Sequence, residues 1–151
     1  MEIDKKLAVE GIGLLAVVLT LIFLAVEVQQ NSLLMRSQIR DSITGKQIDF
    51  YSIIGGSIET SEIIAKVLEG NDDVSRAEQQ VFQHWASAAL RMWENEWFQF
   101  QNGLFEEEEF VPRMQVWARL APQPGFRTVW LSVKGWYSPD FQAQVNRVID
   151  D

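Results

Sequence analysis

The sequence predicts an all-α protein, and three observations lead to that fold class. An apolar run fills residues 8–26, apolar residues recur at helical spacing along most of the chain after it, and no stretch alternates as a surface strand does. We expect an N-terminal transmembrane helix that continues into a stalk helix, packed with a small bundle of about five or six helices. The corresponding domains are a tail at 1–7, a transmembrane helix at 8–28 and an acidic, aromatic-rich helical domain at 29–151.

The transmembrane prediction rests on the run AVEGIGLLAVVLTLIFLAV at 8–26, in which Glu10 is the only charged residue. As a helix this run extends about 28 Å, close to the ~30 Å hydrocarbon core of a bilayer. A buried helix of a soluble protein is the alternative, but the uncharged stretch is long for one. A cleaved signal peptide fits less well, because the run is longer than a usual signal core and no small-residue cleavage site follows it.

The charges that flank the run are nearly balanced. Lys5 and Lys6 precede it, and Arg36, Arg40 and Lys46 follow it. Because a short tail that contains acids is easily translocated, we expect a single-pass anchor with the C-terminal domain on the cytoplasmic side.

The stalk and the helix after it are predicted from apolar spacing and from glycine. No proline occurs between Val28 and the Gly55-Gly56 pair, and apolar residues recur there near helical period, so the first helix is expected to end at the two glycines. A short helix should follow at 61–70, with Gly70 as its C-terminal stop.

A capping box begins the most amphipathic helix of the chain. Ser75 and Glu78 have the spacing at which each residue satisfies a backbone donor of the other, and the helix they open should extend to residue 101 or 102. The residues expected on its inner face are mostly aromatic or small: Val81, Phe82, Trp85, Ala88, Ala89, Met92, Trp93, Glu96 or Trp97, and Phe100.

Prolines divide the rest of the chain. Because Pro112 is unfavourable inside a helix, either a helical turn over the glutamates at 106–109 ends near Phe110, or Pro112 itself opens a new helix. Pro124 should begin the next element, and Ser138 should cap the last helix.

Composition excludes several kinds of function. The chain has no cysteine, so it has no thiolate metal site and no cysteine nucleophile. From residue 27 onward it carries 11 lysines and arginines against 18 aspartates and glutamates, and such a surface is a poor partner for nucleic acid. His84, the single histidine, has no acid or second histidine one helical turn away, so we expect neither a metal site nor a bound cofactor.

A polar cluster interrupts the aromatic helix. Arg91, Glu94 and Glu96 are expected to form a candidate buried polar cluster, in which Glu96 would be an acid poised for proton transfer. The alternative is structural: Arg91 and Glu94 would form an exposed ion pair, while Glu96 faces an arginine of a neighbouring helix. The arginines available for that pairing are Arg113, Arg119 and Arg127.

The aromatic residues of the same helix indicate an interaction surface. Trp85, Trp93, Trp97 and Phe98 extend over more than one helix face, so part of this set is expected to be exposed as a candidate interaction patch. The alternative places these rings in the core, where each one buries a large apolar area.

Small residues mark a second surface, inside the span. Gly13, Ala16 and Thr20 share one helix face, and a face of small residues lets another helix approach closely. This candidate packing face favours self-association of the chain, or docking with another helix, in the bilayer.

Four blocks of the sequence are distinctive: FLAVEVQQNS at 23–32, SEIIAKVLEG at 61–70, RMWENEWFQFQNGLFEEEEF at 91–110 and PGFRTVWLSVKGWYSPDF at 124–141. With these blocks the chain resembles a family of small, uncharacterised bacterial membrane proteins that have an N-terminal span and a helical domain of unknown function. The resemblance implies the same architecture and a location in the bacterial inner membrane. It carries over no functional residue.

These patterns predict a membrane-anchored interaction or accessory protein, which serves as a small subunit or scaffold for a protein partner at the membrane. No catalytic residue is evident, which favours a non-enzymatic role. The alternative is a ligand sensor or an enzyme, with a pocket between the aromatic helix at 75–102 and the C-terminal helices.

Overall fold

The computed structural model describes the backbone of residues 2–150 and the side chains of residues 5–150. These residues form six α-helices, one short 3₁₀ helix and no strand, which confirms the all-α prediction. By its contacts the chain divides into two units, Met1–Gln38 and Ile39–Asp151, so the boundary lies inside the first helix. The helices are α1 (Glu2–Gly55), α2 (Ile58–Leu68), α3 (Arg76–Gln101), α4 (Glu107–Leu120), α5 (Pro124–Val133) and α6 (Pro139–Asp150), with the 3₁₀ helix at Lys134–Trp136.

The first unit consists of the N-terminal part of α1. Every side chain from residue 5 to residue 38 is exposed. Helix α1 is the one described helix that is long and apolar enough to cross a membrane, and none of its most apolar 18-residue window is buried. A core helix of a soluble protein buries its apolar residues, so this segment differs from one, whereas a signal sequence near an N-terminus has the same length and composition. The segment could therefore span a membrane.

In the second unit, the end of α1 has one buried face. Ile43 and Phe50 are buried, and Ile39 and Ile54 are partly buried, at the helical spacing of a packed stalk. Because α1 continues without a break to Gly55, the predicted stalk and its end at the glycine pair are confirmed.

Helix α2 starts earlier than predicted and ends as predicted. It begins at Ile58 because the Ser57 hydroxyl caps it, accepting a hydrogen bond from a backbone N–H one turn later at 3.2 Å. After its last turn, Gly70 has a φ of 78°, a conformation that favours glycine. Helices α2 and α5 cross at Gly125, where a Cβ atom would lie 2.1 Å from the carbonyl oxygen of Val67, so the approach requires glycine there.

Helix α3 lies at the centre of the second unit. Both bonds of the predicted capping box form: the Ser75 N–H donates to Glu78 Oε2 at 2.7 Å, and the Glu78 N–H donates to Ser75 Oγ at 3.2 Å. Val81 and Ala88 of the predicted inner face are exposed, because the buried stripe is rotated about the helix axis. The buried residues of α3 are Phe82, Trp85, Ala86, Ala89, Leu90, Trp93 and Glu96.

Helix α4 contradicts both predictions for Pro112. The helix runs without a break over Glu107–Leu120, with Pro112 inside it. Pro112 and Glu108 are both exposed, so water can hydrogen-bond the Glu108 carbonyl that the missing N–H of proline leaves free. The other side of the helix buries Phe110 and Trp117, and this packing offsets the cost of the proline.

The core of the second unit is aromatic. As predicted, α5 starts at Pro124 and the Ser138 hydroxyl caps α6, and both helices bring large rings against α3. Trp93 and Trp117 stack with ring centroids 4.9 Å apart. The largest fully buried aromatic side chains are Trp93, Trp117, Trp130, Phe82, Phe126 and Phe141.

Candidate functional site

A groove of about 720 Å³ lies between α3 and α6. Helix α3 contributes residues 91, 94, 95 and 98, which share one helix face, and Asn102 follows just after its end; α6 contributes residues 140, 143 and 147, which also share one face. Ligand sites commonly have volumes of about 300–1,000 Å³, so the groove is large enough for a ligand or a partner segment. It is formed where these two helix faces, each with polar and apolar residues, meet.

The four charged side chains of the groove fall into two groups. Arg91 Nη1 donates to Glu94 Oε2 at 2.7 Å, so these two charges compensate each other. The Asp140 and Arg147 side chains are exposed and make no hydrogen bond or ion pair with any residue that the structure describes. The groove therefore presents one carboxylate and one cation that have no partner among the described residues.

Phe98 is the apolar residue that the groove exposes most. It is 60 % exposed and stacks on no aromatic ring among the described side chains. Trp97 beside it is partly buried, with its ring centroid 5.9 Å from that of Phe110. Just outside the groove Trp136 is 68 % exposed, and its carbonyl oxygen accepts a hydrogen bond from Arg91 Nη2 at 3.5 Å. Two exposed aromatic side chains, Phe98 and Trp136, therefore lie in or beside the groove.

Arg91 also covers the ring of Tyr137, whose centroid lies 4.3 Å from the guanidinium carbon. Burial raises the pKa of the Tyr137 hydroxyl, while Arg91 opposes the rise and Glu94 adds to it. The phenol therefore stays protonated near neutral pH, and its contact with Arg91 is a packing and cation–π contact.

Glu96 lies on another face of α3, inside the core, and is fully buried. Its Oε1 atom accepts hydrogen bonds from Gln47 Nε2 at 2.8 Å and from the Nε and Nη2 atoms of Arg113 at 3.2 and 2.9 Å. Its Oε2 atom accepts a hydrogen bond from Trp117 Nε1 at 3.1 Å. A buried carboxylate with four donors has its hydrogen-bonding capacity largely satisfied.

Arg113 links this carboxylate to α1 as well, because its Nη1 atom donates to the Tyr51 hydroxyl at 3.0 Å. Burial lowers the pKa of Arg113, but the Glu96 carboxylate and the hydrogen bonds outweigh burial, so the pKa lies above its ordinary value. Arg113 therefore stays charged, and its bonds to Glu96 and Tyr51 tie α1, α3 and α4 together. Neither partner is a free acid or base.

The structure separates the predicted polar cluster. Arg91 and Glu94 face the groove while Glu96 is buried with Arg113, so the prediction of one buried cluster is wrong. An α-helix turns through about 200° over two residues, which places residues 94 and 96 on different faces. The alternative, an exposed Arg91–Glu94 pair with Glu96 facing an arginine of a neighbouring helix, is confirmed.

Two of the four residues in the predicted interaction patch lie in the core. Trp85 is 7 % exposed and Trp93 is fully buried, because rings from α1 and α4 stack on them. The prediction of exposure is therefore wrong for these two. Trp97 is partly buried, and Phe98 is exposed in the groove.

The predicted packing face of the span is exposed in the first unit. A Cβ atom on Gly13 would meet no atom within 4 Å, and Thr20 Oγ1 donates to the Ala16 carbonyl of its own helix at 2.8 Å. The face is open to a second helix, and its use by one stays a prediction.

Other acids and the histidine form no ligand cluster. Within the described part of the chain, no group of three or more His, Asp or Glu side chains could hold a metal ion. His84 is exposed on α3. Glu109, from the acidic run at 106–109, pairs with Arg40 at 2.8 Å, so this part of the run joins α4 to α1.

Three exposed residues at or near the groove were not predicted as site residues from the sequence: Trp136, Asp140 and Arg147. Asp140 and Arg147 do show helical spacing, since they lie seven residues apart on one face of α6. That spacing does not indicate that this face meets the polar face of α3, because the meeting depends on how the aromatic core packs.

Comparison with known proteins gives no relative: no protein-family model, curated protein or solved structure matches the chain. The groove has to be interpreted from its own geometry and charge.

Proposed function

We propose that this protein is a membrane-anchored helical accessory protein, which holds a protein partner at the membrane through the groove between α3 and α6. Residues 8–28 would cross the inner membrane of a bacterium once, and the helical domain would lie on the cytoplasmic side. The observation that carries the proposal is the groove itself, which combines the exposed ring of Phe98 with two charged side chains that pair with no described residue.

The apolar part of α1 supports the anchor. None of its most apolar window is buried, so these side chains would contact water unless lipid or another protein covers them. A bilayer covers such a helix at no cost in backbone hydrogen bonds, because every bond is made within the helix. The proposed orientation rests on the short tail before the span, which contains two acids and is easily translocated, because the flanking lysines and arginines are nearly balanced.

The paired acids of α3 favour binding over catalysis. Glu94 and Glu96 each have an arginine partner, so neither is a free general acid or base. A ligand sensor or an enzyme is the second candidate, because the groove lies where its pocket would be, between α3 and a C-terminal helix. The groove is open and lined by both polar and apolar groups, which fits a protein surface better than a reaction centre that excludes water.

Photo-crosslinking in membranes tests the interaction role. A benzophenone amino acid in place of Phe98 in the full chain should give a defined adduct with one protein. The matched control carries the same amino acid in place of Val116, which is exposed on α4 outside the groove, and should not give that adduct. Equal adducts at both positions, or none at either, would contradict an interaction role for the groove.

Membrane extraction tests the anchor. The full chain should stay in the membrane fraction at alkaline pH, and its mass should show that residues 1–28 are still attached. A variant with Leu15→Arg and Leu19→Arg should be released, because charges near the centre of a span strongly disfavour insertion. Release of the unchanged protein, or cleavage after the apolar run, would overturn the single-pass anchor.

A further inference from the structure

We infer that the groove between α3 and α6 binds a helix of a partner protein that carries one cation and one carboxylate two turns apart, with an apolar residue between them. The inference rests on the proposed function and names the chemistry of the partner. It is carried by Asp140 and Arg147 of α6 and by the ring of Phe98, which make no ion pair and no ring contact within the part of the chain that the structure describes.

The charges of α6 have the spacing of two helical turns. Asp140 and Arg147 lie seven residues apart, roughly 10 Å along the helix axis, and both line the groove. Ala143 lies between them and is small enough to let a second helix approach closely. A helix along α6 with opposite charges at positions i and i+7 would place a complementary charge opposite each of them.

Phe98 supplies the apolar part of the surface from the α3 side. Its ring is 60 % exposed, and an apolar residue of the partner between the two charged positions would cover it. Arg91 and Glu94 already form an ion pair with each other, so the charged residues of the partner would be recognised by Asp140 and Arg147 of α6.

The overall charge of the chain does not by itself select such a partner. The formal net charge is −8, which attracts a basic helix at long range. Salt limits that attraction to about 8 Å at physiological ionic strength, so the contacts inside the groove decide the choice. A wholly basic helix would meet Arg147 with like charge, and a wholly acidic helix would meet Asp140 with like charge.

A phage-displayed library of helical peptides, randomised at positions i, i+3, i+4 and i+7, tests the inference. Selection is against the full chain in lipid nanodiscs. We expect enrichment of opposite charges at i and i+7 with an apolar residue between them. Phe98→Ala should weaken binding of the enriched peptides by more than about tenfold, as expected for an aromatic residue at the centre of an interface.

Charge-reversal variants of the groove then test which of its residues recognise the charges of the peptide. Arg147→Glu should shift the selection toward two cations, and Asp140→Lys should shift it toward two carboxylates. Each variant should weaken the binding of the originally enriched peptides by about 3–10-fold. This is the range expected when one solvent-exposed attractive charge pair becomes repulsive. Arg127→Glu, at an exposed residue of α5 outside the groove, makes the same change in net charge as Arg147→Glu and should alter neither the selection nor the binding of the original peptides.

Three results would overturn the inference: enrichment of like charges by the unchanged protein, a charge preference that Arg147→Glu does not alter, or no peptide whose binding depends on Phe98. If one of these occurs while crosslinking from position 98 still gives a defined partner, the proposed function stands and only the partner chemistry is wrong. If crosslinking fails as well, both are wrong.

Discussion

Glu94 and Glu96 are two residues apart on α3, and their side chains lie in opposite environments. Glu96 is fully buried and accepts four hydrogen bonds from three residues of α1 and α4. Glu94 lies in the groove and has one partner, Arg91, whose side chain is 55 % exposed. A carboxylate therefore holds helices together on one face of α3 and lines the groove on the other. The face, and not the residue type, decides the role.

The largest effect that would test this contrast is the loss of Glu96. Glu96→Ala should destabilise the protein by about 3–5 kcal/mol, because it leaves the charge of Arg113, which is only 14 % exposed, without a partner. Chemical unfolding of the full chain in detergent micelles, followed by tryptophan fluorescence, measures the change.

The matched control is Glu94→Ala, which removes the same group from the other face of α3. Its effect should stay within about 0.5–1 kcal/mol, as for other exposed ion pairs. Equal losses for the two variants would show that burial does not separate their roles.

Double-mutant cycles compare the two acids through the coupling energy that each has with its arginine partner. We expect a coupling energy of about 2–3 kcal/mol between Glu96 and Arg113, and one below about 1 kcal/mol between Glu94 and Arg91. Both cycles use alanine and the same unfolding measurement. A coupling for Glu94 and Arg91 as large as the buried one would mean that the groove pair is structural, which would argue against a free binding surface there.

Local sequence signals predicted much of the fold. The capping box at Ser75 and Glu78, the stop at Gly70 and the unbroken stalk each depend on a few neighbouring residues, and all three occur in the structure. Pro112 shows where local signals fail. The packing of Phe110 and of the rest of α4 outweighs the proline's preference, and the sequence does not state the strength of that packing.

The site was less predictable than the fold because it depends on which helix faces meet. The sequence narrowed the partner of Glu96 to an arginine of a neighbouring helix, but only the fold selects Arg113. Phe98 was expected in an interaction surface and is exposed, whereas Trp93 on the same helix is buried. Arg147 could not be placed in the groove without knowing that α6 lies against α3.

A pair of stacked tryptophans isolates one bond to the buried acid. Trp117 donates its indole N–H to Glu96, whereas the N–H of Trp93, stacked on it, is buried and has no hydrogen-bond partner among the described residues. Replacing either by phenylalanine removes a similar volume, so the difference reports the hydrogen bond. Trp117→Phe should cost about 1.5–3 kcal/mol more than Trp93→Phe, the range for bonds to a charged group. Equal costs would mean that the hydrogen bond from the Trp117 indole to Glu96 adds little to the stability of the fold.

The smallest effect concerns a third acid of α3, Glu78, which lies in the first turn of the helix. Hydrogen bonds from the Ser75 side chain and backbone, together with Lys66, lower the pKa of Glu78 to about 2 from 4.5. Because this pKa is lower in the folded than in the unfolded protein, the carboxylate stabilises the fold above about pH 4.5. That contribution disappears as the pH falls toward about 2.

Glu78→Gln should therefore lower the unfolding midpoint most near neutral pH, with the difference from the unchanged protein shrinking below about pH 4.5. Ser75→Ala keeps the Glu78 carboxyl but removes the hydroxyl donor. It should therefore weaken the pH dependence of the unfolding midpoint over the same pH window, and it should raise the pKa of Glu78 measured by a carboxyl carbon NMR titration. Midpoints for Glu78→Gln that stay parallel to those of the unchanged protein throughout this window would contradict the prediction. Glu78 would then resemble Glu94, an acid whose ion pair contributes little to the fold, instead of one that the helix start holds in its charged form.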